Sequence, residues 1–144
     1  MAFVLDASMA MAWCFDDERT DVSEAVLLAL SDDEAIVPAV WSSEVTNATL
    51  RGLRRNRLTP TQVLSFLRTL DQLVIIYSDP LRAGMIPHLL KVARDHELSA
   101  YDAAYLELAE RLGLPLATLD VRLRAAAAQA GVPLFWTSGL RGTK

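Results

Sequence analysis

The sequence predicts an α/β fold built on a parallel sheet, and three observations carry that expectation. Compact apolar runs alternate along the chain with longer helix-like stretches, as a parallel sheet with crossover helices requires. Apolar residues make up 52% of the 144 positions, with the excess mostly in Ala, Leu and Val, which suits helices laid over a buried sheet. The chain shows no linker, repeat or low-complexity tract, so one domain spanning 1–144 is expected, long enough to bury a core without staples.

Each element has a local signature. Ala2-Phe3-Val4-Leu5 is the first strand, ending at Asp6. Ser8 is placed to cap a helix through about Asp16. A second helix runs from about Thr20 to Leu30 and is closed by Ser31-Asp32-Asp33-Glu34. The short strand Ala35-Ile36-Val37 stops at Pro38, and a long helix follows from about Trp41 to Arg57. Thr59-Pro60 opens the next helix with proline in its first turn. Leu73 to Tyr77 is compact and β-branched, a strand. The stretch from Pro80 to Glu97 reads as helical, with Gly84 and Pro87 as breaks. Ser99 starts a helix that ends near Gly113; Leu114 to Leu119 is a strand ending at Asp120. A helix to about Gln129 stops at Gly131, and Val132 to Trp136 is a last short strand.

Composition narrows the function. Cys14 is the only cysteine, which rules out an internal disulfide and a thiolate zinc site and fits a reduced, cytoplasmic setting. No secretory leader is expected, and no apolar run approaches membrane-spanning length. A net charge of −4 and a pI of about 5.1 argue against gripping nucleic acid by bulk electrostatics. They leave room for an acidic site that first recruits cations, which then meet phosphate.

Four acids stand out by position. Asp6 and Asp120 end strands, and Glu44 and Asp102 sit in the first turns of helices that follow crossovers. Ligands of open parallel sheets bind beyond the carboxyl ends of the strands, so one rim can gather all four. Taken singly, each acid has an ordinary explanation as a cap, a capping-box partner or a dipole-favoured charge. Taken together, clustered carboxylates repel and raise one another's pKa, a cost that a divalent cation removes. All-oxygen donors favour magnesium or manganese over zinc. His88 and His96 offer no rival site, and no catalytic serine triad, phosphate-binding glycine loop or dinucleotide fingerprint is present.

The segments Val4-Leu5-Asp6-Ala7-Ser8, Trp41 to Ala48, Leu98 to Leu106 and Ala117-Thr118-Leu119-Asp120 together resemble the PIN-domain family, and within it the VapC toxins of bacterial toxin–antitoxin pairs. The resemblance covers nearly the whole chain. It implies a three-layer α/β/α sandwich around a short parallel sheet, one or two Mg2+ or Mn2+ ions, and hydrolysis of RNA. It places the family's catalytic and metal-binding quartet on Asp6, Glu44, Asp102 and Asp120, and accessory hydroxyls on Ser8 and Thr118. Asn47, three residues after Glu44, shares its helix face and is suited to orient a ligand or touch substrate. The resemblance also implies a small antitoxin partner and a homodimer, for which Trp13, Phe15, Trp41, Phe66, Leu67 and Leu70 are candidate contact residues if they escape the core.

Arg51, Arg54, Arg55 and Arg57 form the one dense basic cluster. It reads either as a solvated helix end favoured by the dipole or as a track for the RNA backbone. Two rival functions remain open from sequence. A phosphorelay receiver also clusters acids at strand ends but needs a lysine nearby, and the chain's lysines, Lys91 and Lys144, lie at no strand end. A non-catalytic binding module on the same scaffold has no need of four intact acids.

Overall fold

The computed structural model describes residues 1–135. In chain order these form β1 (Ala2–Leu5), α1 (Ala7–Met11), α2 (Asp21–Ala29), β2 (Glu34–Val37), α3 (Val40–Arg54) and α4 (Pro60–Asp71). They continue with β3 (Ile75–Tyr77), α5 (Ile86–Asp95), α6 (Ala100–Leu112), β4 (Leu116–Ala117) and α7 (Val121–Ala130). The four strands form one parallel sheet in the order β3-β2-β1-β4, flanked by the helices, as the α/β reading requires. Val4 is paired on both sides, with Ile36 of β2 and Leu116 of β4. Phe3, Val4 and Leu5 are fully buried, which explains the unbroken apolar run of β1.

Several boundaries differ from expectation, each for a local reason. Asp6, not Ser8, is the N-cap of α1, and α1 ends at Met11. The turns that follow are held instead by Trp13 Nε1, which donates to the Ser23 carbonyl at 2.8 Å, and by Arg19, which donates to the Trp13 carbonyl at 3.0 Å. The helix expected through Arg57 stops at Arg54 because Asn56 takes a left-handed φ of 57°, a conformation asparagine tolerates better than most residues. Pro87 does not break a helix; it lies in the first turn of α5, where its missing N–H costs nothing. Thr20 and Thr59 close capping boxes with Ser23 and Gln62.

β4 is two residues long, where six were expected. Pro115 has no N–H to give the ladder, although its carbonyl accepts from Val4 at 2.9 Å. At the other end, the N–H groups of Leu119 and Asp120 are diverted to the hydroxyls of Ser8 and Thr118. The last expected strand shrinks to a single parallel bridge between Leu116 and Leu134, and Trp136 lies outside the described residues.

Trp13, Phe15, Trp41 and Phe66 are core residues, so they do not form the apolar contact surface considered from sequence. Leu70 packs partly against the core, and Leu67 stays half-exposed. Gly52 of α3 marks a close approach. A Cβ there would stand 2.6 Å from Leu58 Cδ1 and 2.9 Å from Phe15 Cζ, both side chains buried. Gly84 faces open space. Gly52→Ala is therefore expected to lose about 1–3 kcal/mol of stability in urea titrations, the usual scale of overpacking, while Gly84→Ala stays near the parent.

Candidate active site

The carboxyl ends of β1 and β4 bring Asp6 and Thr118 side by side. Asp6 caps α1 by position, but its carboxylate makes no capping bond. It is 4% exposed, and its Oδ2 accepts from Ser8 Oγ and from Thr118 Oγ1, each at 2.6 Å. Ser8 Oγ also accepts from the Leu119 N–H at 3.1 Å, and Thr118 Oγ1 from the Asp120 N–H at 3.0 Å. Both hydroxyl protons are thus committed to one oxygen of Asp6, while Oδ1 receives neither.

Glu44 lies in the second turn of α3, not the first, so the helix dipole does little for it. Its Oε1 accepts from Tyr105 Oη of α6 at 2.5 Å. Tyr105 is fully buried, and sequence reasoning gave it no role. The signal was present: a tyrosine three residues after Asp102, on a helix buried from Ala103 to Ala109, needs a polar partner for its hydroxyl. Ser99 caps α6 by accepting from the Asp102 N–H at 3.1 Å, so the serine half of the expected capping box is present. Asp120 caps α7 through Oδ1, which accepts from the Leu123 N–H at 3.0 Å.

Electrostatics link the acids in a chain. Burial pushes the Asp6 carboxyl from 3.8 up to about 6 against the pull of the two hydroxyls, with Glu44 and Asp102 adding to the rise. Burial also raises Glu44, with Asp102 contributing and Tyr105 opposing. Asp102 is raised by burial and then by Asp120, and is lowered by Ser99 and Arg122. Among the described residues, no three His, Cys, Asp or Glu side chains are gathered tightly enough to hold an ion as they stand. The donor set is nonetheless all carboxylate, and Asp6 Oδ1 is left outside the hydroxyl bonds, which fits a hard divalent cation.

A cleft of about 380 Å³ takes in Glu44, alone of the four acids, with Ser8, Arg51, Gly52, Arg55 and Arg57 also in its walls. Arg54 is not among its lining residues. Arg57 is already engaged, 3.1 Å from Asp17 and 3.0 Å from Glu18, with its guanidinium 4.2 Å from the centre of the Phe15 ring. Asn47 is exposed on α3. Lys91, the one lysine among the described residues, pairs with Asp95 on α5, so the receiver reading finds no lysine at these acids.

The PIN domain family profile matches residues 3–129. Ribonuclease VapC3 of Pyrobaculum aerophilum is 28% identical over 123 residues, covering 85% of this chain and 92% of that protein. Ribonuclease VapC9 of Mycobacterium tuberculosis is 30% identical over 120 residues, 83% of this chain and 87% of that protein. The crystal structure of PAE2754 from Pyrobaculum aerophilum shares the fold, with a TM-score of 0.62 at 24% identity over 88% of this chain and 87% of that one. The chain belongs to the PIN-domain family.

The raised carboxyl of Asp6 has a thermodynamic consequence. Its folded-state value lies above its unfolded one, so its stabilising contribution is fully present below about pH 4 and is lost as pH rises through about 6. The loss is on the order of 3 kcal/mol by pH 8. In the presence of EDTA, Asp6→Asn is expected to be more stable than the parent at pH 8, with the gap closing toward pH 4. Urea titrations of both proteins across this range check it; a gap that is flat or widens on acidification contradicts the raised, buried carboxyl.

Proposed function

We propose that this chain is a divalent-metal-dependent endoribonuclease of the VapC type, the toxin of a toxin–antitoxin pair. The observation that carries the reading is the buried Asp6 carboxylate, with Glu44 and Asp102 in electrostatic reach, beside a cleft walled by Arg51 and Arg55. The relatives named ribonucleases over most of their length support it.

In this reading Asp6, Glu44, Asp102 and Asp120 hold magnesium or manganese, which when bound offsets their repulsion and activates water for attack on the phosphodiester. Ser8 and Thr118 fix the Asp6 carboxylate so that Oδ1 faces the cation. Tyr105 orients Glu44 by donating to Oε1, the kind of outer support that sets a ligand's direction. Asn47 reaches substrate from the exposed face of α3. Arg51 in the last turn of α3 and Arg55, its C-cap, take phosphates along the cleft. A small antitoxin and a second copy of the chain are the proposed protein partners.

Cleavage is expected to require magnesium or manganese and to leave a 5′-phosphate and a 3′-hydroxyl, since water rather than the neighbouring 2′-hydroxyl attacks. Mapping product ends from a panel of cellular RNAs checks this, and a 2′,3′-cyclic phosphate contradicts it. Asp102→Asn is expected to lose activity by orders of magnitude and to gain less thermal stability from manganese than the parent, without being destabilised in EDTA. If it is destabilised in EDTA, keeps the parent's manganese shift and still cleaves, Asp102 is only a helix-start residue. Arg51→Ala combined with Arg55→Ala is expected to weaken RNA binding and reduce the slope of log affinity against log salt by about two, one for each phosphate left without its arginine.

A further inference from the structure

A second groove, of about 550 Å³, reaches the acids through Arg122, which stands two residues after Asp120, and shares no wall with the arginine cleft. The turn after α5 forms one wall with His96 and Glu97, and α7 forms the other with Arg122, Ala125, Ala126 and Gln129. Glu44 belongs to the wall of the arginine cleft, whereas Asp102 lies beside Arg122, whose charge lowers its pKa. One depression thus includes an acid of the quartet, Glu44, and the other includes Arg122, the arginine whose charge acts on Asp102.

We propose that this second groove is an RNA subsite, which seats the base of a nucleotide next to the scissile phosphate. The inference rests on the nuclease reading above and adds where the strand continues past the acids. Its chemistry suits a base better than a phosphate. Arg122 is the groove's one arginine and stands at the rim, while Glu97 within the groove repels an anion. Arg122, Ala125 and Gln129 recur on one face of α7, so Arg122 and Gln129 stand about 10 Å apart along the helix, two turns. Ala125 and Ala126 between them leave a floor without long side chains, on which a flat ring can lie.

The far end carries the polar groups a base edge needs. His96 Nδ1 lies 3.1 Å from Gln129 Oε1. An amide oxygen only accepts, so Nδ1 is the donor in this bond, and in the neutral imidazole Nε2 is then an acceptor. It also leaves the Gln129 NH2 as a donor. A donor and an acceptor side by side match the paired groups on the Watson–Crick edge of an unpaired base, the edge by which single-stranded RNA is read. The phosphate of the same nucleotide then meets Arg122, beside Asp102.

Two variants test the proposal from different directions. Arg122→Ala removes the rim charge. Ala125→Leu fills the floor at an exposed helical position and leaves every charge in place. Cleavage of a single-stranded RNA of mixed sequence is measured with manganese, alongside thermal melts to show that both variants fold. Each variant is expected to raise KM by about tenfold, the scale of unseating one base, with a smaller change in kcat. If Arg122 acted only through the charge of Asp102, its loss would move kcat, and Ala125→Leu would move nothing. A parent that cleaves RNA while Ala125→Leu keeps the parental KM overturns the subsite and leaves the nuclease reading standing. A parent that cleaves no RNA overturns both.

Discussion

A carboxylate buried at the end of an inner strand is the constraint around which the rest of this molecule is arranged. Asp6 follows β1, one of the two strands paired on both sides, and is almost wholly removed from solvent. Such a charge is expensive unless something compensates it. Two hydroxyls from separate parts of the chain do so in part, and the charges acting on Asp6 are Glu44 and Asp102, both negative. Glu107 is the counterexample. That second buried acid, on α6, has an arginine within the chain: Arg111 Nε donates to it at 2.7 Å. The fold sets a cation against Glu107 from its own sequence and only hydroxyls against Asp6.

The same hydroxyls do architectural service. Ser8 and Thr118 accept backbone N–H groups from Leu119 and Asp120 while donating to Asp6. They thereby end β4 early and turn the chain toward α7. A one-residue slip of β4 against β1 would carry Thr118 to the opposite face of the sheet. The strand register and the shape of the site are fixed by the same few bonds.

This explains which parts of the molecule were legible in the sequence. β1, the order of strands and helices, and the placing of Asp6 at a strand end follow from apolar runs and their punctuation, whereas Asp120, expected to end a strand, lies three residues beyond β4 as the N-cap of α7. The length of β4 did not, because the residues that shorten it act through side chains distant in sequence, Ser8 on Leu119 above all. The end of α3 depended on a left-handed Asn56, which local propensity alone does not announce. Tyr105 was hidden by its apolar setting, since a tyrosine on a buried helix face reads as core until its partner, Glu44, is brought up from 61 positions away. Of the basic cluster, sequence spacing found Arg51 and Arg55 but could not tell that Arg54 lies outside the cleft lining or that Arg57 is occupied.

The engagement of Arg57 gives the arginine cleft a handedness of charge. Its guanidinium is set over Phe15 and outnumbered by Asp17 and Glu18, so that wall carries no surplus positive charge. Arg51 and Arg55, on the α3 wall, form no side-chain hydrogen bond or ion pair among the described residues and keep their full charge. Met11 and Phe15 add apolar surface to the same cleft. Its charge is therefore lopsided: two arginines at one end of α3 stand unpaired among the described residues, while the third is outnumbered by its own carboxylates.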